Sequence, residues 1–225
     1  MLSDYTTLVT DYVRDDASKI SSDQRTAAIT AAVERYSRDR PKLKAEDITG
    51  ASGQTIALPA SYVADFSEIR SLEYPTGDVP PTLIPEDEWA YYLQADGVTK
   101  IQLINSLPAA STVRATYTIK HTLTSLADTI PVGDREAVAK WASALLCDQL
   151  AAFYANEQDS AINADSVQTG SRAQEYAKRA RDYRKFYLDM MGVDDKRAQP
   201  AGTVVNMQRD DARGQDLLYH GRRYR

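Results

Sequence analysis

Ser111-Thr112-Val113-Arg114-Ala115-Thr116-Tyr117-Thr118-Ile119-Lys120-His121 alternates along its length. Val113, Ala115, Tyr117 and Ile119 fall on one side, and Thr112, Arg114, Thr116 and Thr118 on the other. A period of two over this length predicts a strand with one buried face. On both sides of this region the apolar period lengthens to that of a helix, and that contrast decides the fold class. The expectation is α+β, mainly α: a bundle of about four helices with an inserted small antiparallel β domain and an extended C-terminal tail.

Upstream of this strand the chain is rich in Pro, Thr and Val. Gln54–Leu58 reads as a strand stopped by Pro59, and Ser61–Phe66 as a helical turn. Ile69–Tyr74 reads as a strand followed by the turn Pro75-Thr76-Gly77-Asp78. Trp89–Leu93 and Lys100–Ile104, separated by Asp96-Gly97, predict a hairpin.

Further out, helix takes over. Leu2, Tyr5, Leu8, Val9, Tyr12 and Val13 predict a short amphipathic helix ending near Asp16, with Ser3 or Asp4 as its cap. Ser21 and Gln24 form a capping box for a helix with Ala28, Ile29, Ala32, Val33 and Tyr36 on one face, ended by Pro41. Asp134 is placed to cap a helix over 135–156. Its stripe is Val138, Trp141, Ala142, Leu145, Gln149, Ala152 and Phe153, widened by Leu146 and Leu150 as on a helix touched from two sides. A last helix is expected over 169–191. Ala173, Tyr176, Ala177, Ala180, Tyr183, Tyr187 and Met191 face inward, and Gly192 sits at the position just past its end. The parts are therefore 1–42, the first two helices; 43–128, the β-rich insertion; 129–192, the two long helices; and 193–225, a tail.

The chain has 225 residues, a net charge of −5 and one cysteine. Its hydrophobic share of 43% suits a folded domain rather than a disordered one. A protein that grips phosphates over its whole surface is usually basic, so DNA contact is expected to be local or repulsive. One cysteine excludes an internal disulfide and a multi-cysteine zinc site. The start of the sequence has no basic, apolar leader, and no run is long enough for a membrane span. The expectation is a soluble protein made in the cytoplasm, with no membrane partner.

Candidate chemistry is sparse. His121 and His220 lie about a hundred residues apart with no companion ligands. Cys147 sits in a Leu-rich helix and reads as a buried structural thiol. Gly50 and Gly53 are not followed by the Lys-Ser/Thr of a phosphate loop. Glu86-Asp87-Glu88 reads as a solvated turn or helix start rather than a catalytic carboxylate pair. Catalytic residues, metal ligands and cofactors are all expected to be none.

Two surfaces remain. Lys178, Arg179, Arg181, Arg184 and Lys185 line the outer face of the last helix. They can meet nucleic acid, an acidic neighbouring subunit or water, and Arg179, Arg181, Arg184 and Lys185 are the candidates for a subunit interface. The tail carries apolar and Arg/Tyr residues outside any amphipathic helix: Thr203, Val204, Val205 and Met207, then Leu217, Leu218, Tyr219, Arg222, Arg223, Tyr224 and Arg225. Exposed apolar residues invite association, and Arg and Tyr are enriched where proteins meet. The tail is therefore the candidate partner-binding segment, with 203–207 suited to adding a strand to a sheet edge.

The order of parts resembles the head–tail connector, or adaptor, proteins of tailed bacteriophages. The resemblance is carried by Tyr5-Thr6-Thr7-Leu8-Val9, by the Ala27–Tyr36 helix ending Arg38-Asp39-Arg40-Pro41, and by Leu83-Ile84-Pro85-Glu86-Asp87-Glu88-Trp89. It continues through Arg114–Leu123, Thr129-Ile130-Pro131 and Glu136–Cys147 to Ala151–Ala155, Ala164–Val167, Ser171–Tyr176 and Ala180-Arg181. It covers about residues 4–191 and is one of texture and order rather than of an invariant motif. It implies a virion neck protein, made in the host cytoplasm, with no enzymatic activity. It also implies a ring, commonly of twelve copies, beneath the portal protein. Such a ring contacts neighbouring copies of itself and the next connector or tail protein, and genomic DNA passes through the lumen without specific binding. An acidic lumen would repel phosphates and let the duplex slide. A tail-completion or terminator protein is the rival of the same class, and a small DNA-binding regulator using the 178–185 face is the rival of another.

Overall fold

The computed structural model describes residues 1–15, 18–156 and 172–193. The chain divides into two units, Met1–Val193 and Asp194–Arg225, and the second lies outside the described residues. In the first unit, four helices and five strands are described. The fold is mixed α+β, and the mainly helical balance expected from sequence is not borne out, because two of the strands are long.

Helix α1 (Leu2–Val13) buries Tyr5, Val9 and Val13. It begins before the expected cap: Asp4 lies in its first turn and accepts from the N-terminal ammonium at 2.7 Å. Helix α2 (Ser22–Asp39) carries the expected capping box, with Gln24 N–H donating to Ser21 Oγ at 3.1 Å and Ser21 N–H to Gln24 Oε1 at 2.8 Å. Its predicted face is buried.

Helix α3 (Arg135–Asn156) keeps the expected bounds and packs against α1, α2 and α4 (Arg172–Met191). Neighbours on several sides erase the single stripe. Ala137, Ala139, Ala142 and Ala144 are fully buried, whereas Gln149 and Ala152, expected inside, are exposed. Asp134 lies in a 3-10 turn before α3, and its carboxylate accepts from the Tyr36 hydroxyl at 2.6 Å and from Arg40 at 3.1 Å. At the end of α4, Gly192 takes φ 67°, and Val193 N–H closes back to the Leu188 carbonyl at 3.1 Å. Glycine supplies that left-handed conformation without strain.

The sheet lies between α2 and α3. Its strands are β1 (Lys42–Ile56), β2 (Ile69–Glu73), β3 (Leu83–Ile84), β4 (Trp89–Leu93) and β5 (Thr99–Ile119). All pairings are antiparallel, in the order β1-β5-β2-β3, with β4 also on β5. The expected hairpin forms, Leu93 opposing Thr99 across Gly97 at φ 81°. The runs expected as separate strands at 100–104 and 111–121 are one strand. Pro108 cannot donate to the ladder, and the β1–β5 register shifts between Ile48 and Thr55. Gly50 and Gly53, at φ 74° and 71°, lie at those shifts on β1.

Two hydrophobic cores result. One joins the four helices. The other lies within the sheet around Ile56, Leu72, Ile101, Val113, Ala115 and Tyr117. The chain crosses between them beside His121. There the buried Ser37 hydroxyl accepts from His121 N–H at 2.9 Å and donates to the Val33 carbonyl at 2.7 Å. The His121 ring packs on Tyr36 at 4.9 Å, with Nε2 3.0 Å from the Arg40 carbonyl and Nδ1 3.2 Å from the Thr129 hydroxyl.

Candidate interaction surfaces

His121 is thus a structural clasp. Cys147 is buried within α3, and burial pushes its thiol up to about 11, far from a reactive thiolate. Glu86–Glu88 form a 3-10 turn in which Glu86 and Asp87 are exposed, as the solvated-turn reading expects. Among the described residues no three His, Cys, Asp or Glu side chains are placed to hold a metal ion. No described helix is long and apolar enough to cross a membrane.

The basic candidates on α4 separate by environment. Arg184 is half-buried and pairs with Asp148 of α3. Arg179 lies over the Tyr176 ring at 5.5 Å, and Arg181 Nε donates to the Ala177 carbonyl at 3.3 Å. Lys178 and Lys185 are exposed and enter no ion pair among the described residues. Lys178, Arg181 and Lys185 follow i, i+3, i+7 spacing and so share one face. The tail candidates, Thr203, Val204, Val205, Met207, Leu217, Leu218, Tyr219, Arg222, Arg223, Tyr224 and Arg225, lie outside the described residues, as does His220.

Two surfaces were not singled out from sequence. The first is the β4–β5 hairpin, which exposes Tyr92, Leu93, Val98 and Ile104. Its signal was present in Tyr91-Tyr92-Leu93, because three consecutive large apolar residues on a strand cannot all face one core. Tyr91 half-solves this by turning its hydroxyl inward, where it accepts from Ile69 N–H at 2.8 Å. The second is a groove of about 270 Å³ whose lining includes Ile84, Pro85, Leu103, Leu107 and Glu88. Leu83 in the same lining is 54% exposed, and Glu88 is held by Asn105 Nδ2 at 2.9 Å. The groove joins segments about twenty residues apart through the sheet, so no local pattern announces it.

Charge is unevenly shared. Residues 42–119 hold ten carboxylates and five cations, whereas Arg172–Met191 holds six cations and three carboxylates. The sheet is therefore acidic and α4 basic.

No protein-family model and no curated protein matches the chain. Among solved structures it is similar to a chain in the neck of an empty gene transfer agent (GTA) particle computed with C6 symmetry. That likeness is at 16% identity and a TM-score of 0.26, covering 75% of this chain and 87% of the other. A chain in the neck of the native particle with C12 symmetry gives 17%, 0.24, 76% and 89% in the same order. One in the virion of the native particle gives 16%, 0.25, 77% and 87%. TM-scores of this size do not establish a shared fold.

Proposed function

We propose that the chain is a structural adaptor in the neck of a tailed phage-like particle. It forms a ring beneath the portal, of twelve copies by the resemblance, links capsid to tail, and leaves a channel for DNA. The observation that supports this reading is the order of parts. A sheet is inserted between the second and third helices of a four-helix core, in the arrangement that the resemblance of residues 4–191 implies. The role is assembly rather than catalysis. The tail is the portal-facing segment and supplies partner specificity.

Electron microscopy of the chain with its portal and tail neighbours tests the reading. The expected result is ring density between portal and tail, and a chain that never joins such a complex sinks it. Truncation after Val193 isolates the role of the tail. It retains the Val193 N–H that closes α4. The truncated chain is expected to fold and to lose portal docking, and undiminished docking removes the tail from the proposal.

The exposed Lys178, Arg181 and Lys185 favour a second reading, local binding of duplex DNA. Phosphate-driven binding weakens steeply as salt rises. An adaptor binds duplex poorly at every salt concentration, so a salt titration separates the two readings.

A further inference from the structure

The acidic sheet and the basic α4 are different surfaces of one chain. A contact between them in two copies is therefore head-to-tail, the kind that propagates around a ring. Resting on the neck reading, we propose that the Lys178–Arg181–Lys185 face of one copy docks on the groove beside Glu86–Glu88 of the next.

Three observations fit this occupant. The groove is lined by the apolar Ile84, Pro85, Leu103 and Leu107 and by the carboxylate of Glu88, and the exposed Glu86 and Asp87 precede Glu88 in the 3-10 turn beside it. Lysine and arginine match such a surface, since their aliphatic stems cover apolar ground while their charged ends reach carboxylates. A volume of about 270 Å³ admits side chains projecting from a helix rather than a whole helix. The cations are also available: Lys178, Arg181 and Lys185 are exposed, whereas Arg184 on the same helix is already paired with Asp148. Opposite charges on the two surfaces steer the encounter and set its polarity, and like surfaces repel.

Charge exchange in the full-length chain tests the pairing. Lys178→Glu with Arg181→Glu and Lys185→Glu makes both surfaces acidic. Glu86→Lys with Asp87→Lys and Glu88→Lys makes both basic. Each triple variant alone is expected to self-associate at least about tenfold more weakly than the parent chain in sedimentation at low salt. Mixing the two variants, or combining all six changes in one chain, is expected to recover association to within about threefold. Circular dichroism identifies any variant that fails to fold; the neutral variant Lys178→Gln with Arg181→Gln and Lys185→Gln then takes its place and is expected to weaken self-association, whereas parent-like association overturns the pairing. Triple variants that associate like the parent overturn the pairing, as does a mixture that fails to recover. If rings still form between portal and tail in particles carrying either triple variant, the pairing falls while the neck reading stands. A parent chain that stays monomeric at high concentration and low salt overturns the pairing. The neck reading is then decided separately, by whether the chain enters particles.

Discussion

Three tyrosines fasten elements together by the same means. Tyr36 of α2 donates to Asp134, Tyr187 of α4 to Asp39 of α2, and Tyr117 of β5 to Glu46 of β1, each at 2.6 Å. Burial raises all three phenols above their ordinary range, and the carboxylate partners raise them further, so each hydroxyl stays protonated and donates. At Glu46 the Tyr117 bond and the Lys44 ammonium hold the carboxyl at about 2, below its usual 4.5. A carboxyl depressed by folding adds stability above its unfolded value and loses it as pH falls toward the folded value. Glu46→Gln is therefore expected to cost on the order of 1–2 kcal/mol at pH 7, reduced from the full shift by solvent screening. The variant should also flatten the loss of stability between about pH 4.5 and 2, as urea unfolding across that range will show. Ser37 is a fastener of another kind, bonded to the His121 N–H and the Val33 carbonyl. Ser37→Ala strands the His121 N–H and is expected to cost about 1–3 kcal/mol by thermal unfolding, with no change in helix content.

Among the elements, α3 is the one that tolerates least change. Its buried alanines let α1, α2 and α4 approach, so Ala142→Leu is expected to destabilise by about 1–3 kcal/mol. Gln149→Leu, on the exposed side, should fall within about 0.5 kcal/mol of the parent. Chemical denaturation of the two variants checks the contrast. The same helix shows what the sequence could and could not convey. Its bounds were legible from periodicity, but its inner face was not, because a helix surrounded on several sides has no single stripe. The capping box of α2, the hairpin at Gly97 and the cap at Gly192 were legible, since each depends on residues adjacent in the chain. The first half of β1 was not. Lys42, Lys44, Glu46 and Asp47 lie along it, and charges on an edge strand guard against pairing while hiding the period of two. The basic face of α4 was visible from spacing, whereas the groove proposed as its partner depends on strand register.

At the scale of the molecule the two hydrophobic cores belong to different stretches of chain. The helical core draws on both ends of the first unit, and the sheet core lies wholly within residues 48–119. Lys42 and Ile119, the outermost residues of the sheet, are register partners, and partners in an antiparallel pair stand about 5 Å apart. The sheet is thus a guest that enters and leaves its helical host through one doorway, held by His121 and Ser37. Replacing residues 42–119 with a link of a few glycines is expected to leave a cooperatively unfolding helical protein, checked by circular dichroism and calorimetry. Most of the guest's carboxylates lie where no residue of the host's core depends on them. Its outer surface is therefore free to be rewritten, one partner exchanged for another, while the host is inherited unchanged.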